Sequence, residues 1–215
     1  MHTHLRSRLA ISAISMFLAG PAWAGPGINA EYSADQIIET EDGATKITVY
    51  STPTMERQEF VDGGQKMISI TRHDKKVIWN VMPEEKMYIE MAAGSHKDKK
   101  EKPDLADFTI EQTPMGQETI NGVPLNKGKM IMTGKDGSKM GGFMWTTKEG
   151  IVTKLDAISV EKGKKDRFKL EMQNLKIAKQ PADLFEIPKG YEKLDMGAMG
   201  GMMGAGDMLK GMMGR

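Results

Sequence analysis

The sequence predicts a mainly β protein, a single curved antiparallel sheet with few short helices. Three observations carry this. Runs with a two-residue hydrophobic period recur along the chain, turn signals such as Asp42-Gly43, Asp62-Gly63-Gly64 and Asn121-Gly122 separate them, and segments of helical period are almost absent.

The first 24 residues stand outside that fold. Arg6 and Arg8 open the chain, Leu9 to Ala19 is a short apolar run, and Ala22-Trp23-Ala24 precedes Gly25 as a small-x-small cleavage pattern. These are the marks of a secretory signal peptide, and the run is too short to span a bilayer. No later stretch has the apolar length of a membrane-spanning helix, and there is no cysteine to receive a lipid. The expected product, cut near Ala24, is soluble and unanchored in a bacterial periplasm or the extracellular space. Removing the signal from 215 residues leaves 191, the size of one domain. The signal takes two of the 30 basic residues and none of the 29 acidic ones, leaving 28 against 29 and a formal charge of −1. That balance gives no support to nucleic-acid binding. The absence of cysteine excludes disulfides, thiol catalysis and thiolate metal sites.

Glu31 to Ile38 alternates weakly as a first strand and Thr45 to Tyr50 more clearly as a second; Thr52 and Pro53 break it before Met55 to Val61 forms a third. Next comes the organising group, Ile68 to Met91. Ile68 and Ile70 alternate with Ser69 and Thr71, and after a turn at His73 and Asp74, Val77, Trp79 and Val81 alternate with Ile78 and Asn80. A two-residue turn pairs Ile70 with Val77 and Ile68 with Trp79, which keeps the apolar residues on one face. Pro83, Glu84 and Glu85, as a three-residue loop, then place Met87, Ile89 and Met91 opposite Val81, Trp79 and Val77. A four-residue loop is the alternative, and it puts Tyr88 beside Trp79.

Ala92 to Asp107 is a charged loop whose Lys97, Lys99, Lys100 and Lys102 are interleaved with Asp98, Glu101 and Asp104. Solvation is its default role, and transient contact with anionic lipid headgroups is the alternative. Strands resume at Phe108 to Gln112, Glu118 to Ile120, Lys127 to Thr133, Lys139 to Thr147, Ile151 to Val160 and Asp166 to Ile177. In the last, Phe168, Leu170 and Met172 are even-numbered while Leu175 and Ile177 are odd, so a bulge is expected near Gln173 and Asn174. Pro181 to Tyr191 should form a helical turn and a short extended piece, with Leu184, Phe185 and Ile187 covering an end of the sheet. The expected organisation is a signal at 1–24, a half-barrel domain at 25–194 and a tail at 195–215. From Met196 to Arg215 the tail holds seven methionines and seven glycines in 20 residues.

The run Ile70-x-Arg72-x-Asp74-Lys75-Lys76-Val77-x-Trp79, then Pro83-x-x-Lys86-x-Tyr88-x-Glu90, and later Leu184 to Tyr191 (LFEIPKGY) resemble an exported bacterial family, domain of unknown function 4412. That family is similar to LolA-like and LolB-like periplasmic lipoprotein carriers and receptors. Over Glu31 to Leu194 the resemblance implies a curved half-barrel of about ten strands, its concave face apolar and partly covered by short helices. The chain lacks the lipidated cysteine of the receptor type and the long helices of the carrier type.

The candidate ligand surface is one apolar face made of Ile68, Ile70, Val77, Trp79, Val81, Met87, Ile89, Met130, Met132, Phe143 and Trp145. A single sheet has no second layer unless helices or a ligand supply one, and methionine suits surfaces that accept varied apolar partners. The competing reading is a core filled by the protein's own loops and tail. Met196, Met199, Met202, Met203, Met208, Met212 and Met213 of the tail admit three readings: a disordered tail, an amphipathic plug for the groove, or a soft Cu(I) site. Catalysis finds no support. His73 and His96 are the histidines left after cleavage, both expected in solvated turns or loops, and HExxH, GxSxG and phosphate-loop motifs are absent. Arg57 with Glu59, and Arg72 with Glu90, are candidate cross-strand ion pairs. The sequence thus implies a non-enzymatic monomer without cofactor, binding a lipid, acyl chain or lipoprotein. Copper binding through the tail and docking of an envelope protein are the alternatives.

Overall fold

A computed structural model describes residues 29–93, 108–135, 137–161 and 164–195. The chain passes through β1 (Tyr32–Thr40), β2 (Gly43–Ser51), β3 (Met55–Asp62), β4 (Gln65–Arg72), β5 (Val77–Met82) and β6 (Met87–Ala92). A second run follows: β7 (Phe108–Ile120), β8 (Val123–Gly134), β9 (Lys139–Thr146), β10 (Val152–Glu161) and β11 (Lys164–Ile177). A 3-10 turn (Ala182–Phe185) and the short β12 (Glu192–Lys193) end the described chain. All twelve strands form one sheet in the order β12-β6-β5-β4-β3-β2-β1-β11-β10-β9-β8-β7. The fold class is the expected one, a large curved sheet that does not close. Each half is a meander, and the halves are joined where β1 pairs with β11.

Local chemistry accounts for the departures from the expected strands. Phe108 to Gln112 and Glu118 to Ile120 are one strand, because a register shift between Pro114 and Gly116 carries the chain past the proline without ending the pairing. Gly116 supplies the positive φ of 100°. Pro114 is tolerated because β7 is an edge strand. The bulge expected near Gln173 and Asn174 is present: Ser33 faces Lys176 and Asp35 faces Gln173, so Asn174 and Leu175 oppose Ala34 alone, and Asn174 has φ 54°.

The register corrects the organising hairpins. His73 to Lys76 form a four-residue loop, pairing Ile68 with Val81, Ile70 with Trp79 and Arg72 with Val77; the offset from the expected register is two residues, so these side chains still share a face. Pro83 to Lys86 also form a four-residue loop, pairing Met82 with Met87, Val81 with Tyr88 and Trp79 with Glu90. Here the difference is one residue. It turns Met87, Ile89 and Met91 to the opposite face and brings Tyr88 and Glu90 to the side of Trp79.

Cross-strand partners define the two faces without a break. Tyr50, Arg57, Ile70, Trp79 and Glu90 follow one another on the outer face, and Val49, Gln58, Ser69, Asn80 and Ile89 on the inner one. Each face carries its own apolar cluster. The outer cluster joins Ile68, Ile70, Trp79 and Val81 to Phe185, with Leu184, Ile187 and Tyr191 packed around them. The chain end thus lies over β3 to β5, as expected of Leu184, Phe185 and Ile187. Arg72, buried in β4, clamps it there: one terminal nitrogen donates to Phe185 O at 3.1 Å and to Glu186, while the rest of the guanidinium makes two bonds to Asp74, at 2.8 and 2.7 Å. These bonds hold the Asp74 carboxyl down to about 2. Arg57 adds a bond to Leu184 O at 3.0 Å. Glu192 N and Leu194 N bond to Lys86 O and Tyr88 O at 2.9 and 2.8 Å, which sets β12 parallel to β6.

Candidate functional site

The inner cluster spans the middle of the sheet. It comprises Tyr32, Ala34 and Ile38 of β1, Ile47 and Val49 of β2, Met130 and Met132 of β8, Met140 of β9, Ile151, Leu155 and Ala157 of β10 and its turn, and Leu170 of β11. Ile38, Leu170, Leu155 and Met144 are successive cross-strand partners, as are Phe168, Ala157, Gly142 and Met130. Among the described residues no helix and no second sheet lies over this face; the 3-10 turn packs on the other side.

Toward β3 to β5 the inner face also carries polar rows. Tyr32, Ser51, Glu56 and Thr71 are successive partners, and Ala34 and Val49 continue into Gln58, Ser69 and Asn80. Gln58 Nε2 donates to Glu56 Oε1 at 2.7 Å. Burial pushes the Glu56 carboxyl up to about 7, and burial together with the charge of Glu56 pushes the Tyr32 hydroxyl up to about 12. The inner face thus mixes the two kinds of group on β3 to β6: Glu56, Gln58, Ser69 and Asn80 alternate with an apolar row in which Phe60 pairs with Met67 and Met82 with Met87, and Ile78 follows Thr71. On β1, Gln36 is buried at 5% exposure between Ile47 and Met172, and its Oε1 has no hydrogen-bond partner.

Glu56 makes stability depend on pH. Its folded pKa lies above its ordinary value of 4.5, so the folded state binds the proton more tightly and stability falls as pH rises from about 4.5 through about 7. Glu56→Gln removes that loss. In thermal or denaturant unfolding the variant should gain on the order of 2 kcal/mol over the native protein at pH 8, and the gap should close by about pH 4.

The eleven residues expected to form one ligand surface are divided by the register. Ile68, Ile70, Val77, Trp79 and Val81 lie on the outer face under the chain end. Phe143 and Trp145 are also on the outer face but on β9, since Phe143 pairs with Lys129 and Asp156, and Trp145 with Lys127 and Lys154. Met130, Met132, Met87 and Ile89 face inward. Trp145 is buried by its surroundings: Lys127 and Lys154 lie over its ring at 4.9 and 5.0 Å, and its Nε1 donates to Glu118 at 2.6 Å. Trp79 Nε1 donates to Glu90 at 2.9 Å, and Lys193 bonds the same carboxylate at 2.7 Å. Arg72 thus pairs with Asp74 and Glu186 in place of the expected Glu90, while Arg57 does pair with Glu59, at 2.7 Å, but along β3 and not across strands.

Sequence reasoning missed Ala34, Gln36, Ile38, Ile47, Val49, Met140, Leu155, Ala157 and Leu170. The parity of Leu155 with Ala157 and of Ile47 with Val49 pointed to them. In β1, however, a polar residue faces in at Gln36 and an apolar one out at Ile37, which blurred the pattern. A further opening lies where β2 and β3 diverge: their pairing spans only Thr48 to Ser51 with Glu56 to Glu59, and a cleft of about 450 Å³ lined by Ala44, Thr45, Lys46, Thr48, Glu59, Phe60, Val61 and Lys66 opens beyond it. The tail methionines Met196, Met199, Met202, Met203, Met208, Met212 and Met213 lie outside the described residues, as does His96. Among the described residues no group of three or more histidine, aspartate or glutamate side chains is placed to hold a metal, and no helix is long and apolar enough to cross a membrane.

The chain is similar to the structure of an uncharacterized conserved protein from Thermus thermophilus, at 12% identity over 85% of this chain and 98% of that one, with a TM-score of 0.53. It also matches MucB at 11% identity over 84% of this chain and 64% of that one, TM-score 0.49, and a LolA superfamily protein from Nitrosomonas europaea at 12% identity over 84% and 96%, TM-score 0.36. No protein-family model matches the sequence, and no curated protein does. The first likeness concerns the fold and extends over nearly all of the Thermus chain.

Proposed function

We propose that this is a non-enzymatic, exported binding protein whose inner face takes a lipid or acyl chain. One observation carries the reading: a continuous aliphatic and methionine cluster, its members 1–9% exposed, lies on one face of a sheet over which the described residues place no helix and no second sheet. A sheet face of that kind is completed by a second apolar layer, and an acyl chain supplies one. Met130, Met132, Met140 and Met144 adapt to a chain of variable shape. The divergence of β2 and β3 gives a ligand a way in from the rim. The motif resemblance to lipoprotein carriers implies the same class of ligand.

The tryptophans do not report on this site, because both described ones face outward. The test uses the neutral apolar dye N-phenyl-1-naphthylamine. The native protein should enhance its fluorescence saturably, and dodecanoyl ligands should displace it. Met132→Lys should reduce dye affinity at least about tenfold by placing a charge on the inner face, whereas Phe143→Ser on the outer face should leave it unchanged. Absence of dye uptake, together with absence of co-purifying lipid in mass spectra, removes the proposal.

A further inference from the structure

The inner face does more than offer apolar area. Gln36 stands at its centre, between Ile47 on β2 and Met172 on β11, in the same strand face as Ala34 and Ile38. A glutamine there is expensive, since a buried amide oxygen without a donor forfeits the hydrogen bond it had in water. Leucine would fill the same space without that loss. Gln36 Oε1 is the buried side-chain oxygen among the described residues that finds no donor, and its cross-strand neighbours Ile47 and Met172 are apolar, whereas Glu56 and Thr71 belong to the row of Tyr32.

We propose that the ligand is an amphiphile with an uncharged donor head, a hydroxyl or an amide N–H, and that this donor satisfies Gln36 Oε1 while the acyl chain lies along Leu155, Leu170 and Met130. The inference rests on the binding role proposed above and narrows it. A carboxylate head is the wrong partner, because it has no proton to give to Oε1 and would lie on the same face as the Glu56 carboxyl, whose negative form is already disfavoured by burial. A glycerol ester or a fatty amide offers what the site lacks, a neutral donor at the end of an aliphatic chain.

The experiment compares 1-monolauroylglycerol with laurate as competitors for bound N-phenyl-1-naphthylamine at about pH 7.5, in the native protein and in Gln36→Leu. In the native protein the glycerol ester should displace the dye at a concentration at least about tenfold below that of laurate. In Gln36→Leu that ratio, each competitor being referred to the variant's own dye affinity, should fall at least about fivefold, and the ligand-free variant should melt at a higher temperature than the native protein because an unmet acceptor has been removed. A ratio unchanged by Gln36→Leu, or laurate binding as tightly as the ester, overturns the assignment of the head group while leaving the apolar face a binding site. Failure of the dye to bind either protein overturns both. A Gln36→Leu protein that melts lower than the native one shows that the oxygen already has a partner, and also overturns the proposal.

Discussion

Phe185→Ala should lower the unfolding free energy by about 3–5 kcal/mol, the range for deleting a fully buried aromatic ring. Phe185 has 0% exposure and is the member of the outer cluster that the chain end contributes between Ile68, Ile70, Trp79 and Val81. Around it the backbone is fixed by Arg72 and Arg57, which bond the carbonyls of Phe185 and Leu184, so the cavity left by alanine cannot collapse easily. Urea unfolding measures the loss. Trp79 emission in the folded variant should move to longer wavelength as water reaches its face, while dye binding on the inner face survives at denaturant concentrations below the transition. A loss under about 1 kcal/mol would mean that the chain end is not anchored through this ring.

Gly142→Ala should cost about 3 kcal/mol or more by forcing two strands apart. Gly142 lies on the inner face between Met130 and Ala157, and a Cβ built there falls 2.1 Å from Asp156 O, 2.5 Å from Ala157 Cα and 2.9 Å from Ala157 Cβ. These atoms are backbone or rigidly attached to it, so no rotamer change relieves the contact. The neighbouring glycine is the control. At Gly141 the nearest atom to a new Cβ is Met130 O at 3.6 Å, so Gly141→Ala should stay within about 1 kcal/mol of the native protein. Equal losses at the two positions would refute the close approach of β9 and β10.

Much of the fold could be read from alternation alone, because most strands bury one set of side chains more deeply than the other. Parity also located the bulge opposite Ala34, and the leucine, phenylalanine and isoleucine of the chain end announced a cover. Loop length was harder to read. Lys76 and Lys86 adopt positive φ, 55° and 52°, as the last residues of two four-residue loops, in a conformation usually signalled by glycine or asparagine. Lysine gives no such signal. In the first loop the resulting error was two residues and harmless to facing; in the second it was one residue, enough to turn Met87 and Ile89 over. Trp79 and Trp145 misled for another reason. Both are buried, yet by lysine stems, carboxylates and, for Trp79, the segment around Phe185, and a large apolar side chain in a strand does not say which face of a sheet it will share with the rest of the core.

The junction of β1 with β11 has a consequence for how the molecule is made. Tyr32 pairs with Ile177 and Glu39 with Lys169, so residues from the two ends of the domain form its central seam. A polypeptide delivered from its N-terminus exposes one margin of β1 until the last long strand arrives, and neither meander can finish the sheet by itself. Assembly must wait for distant partners, which makes it slow.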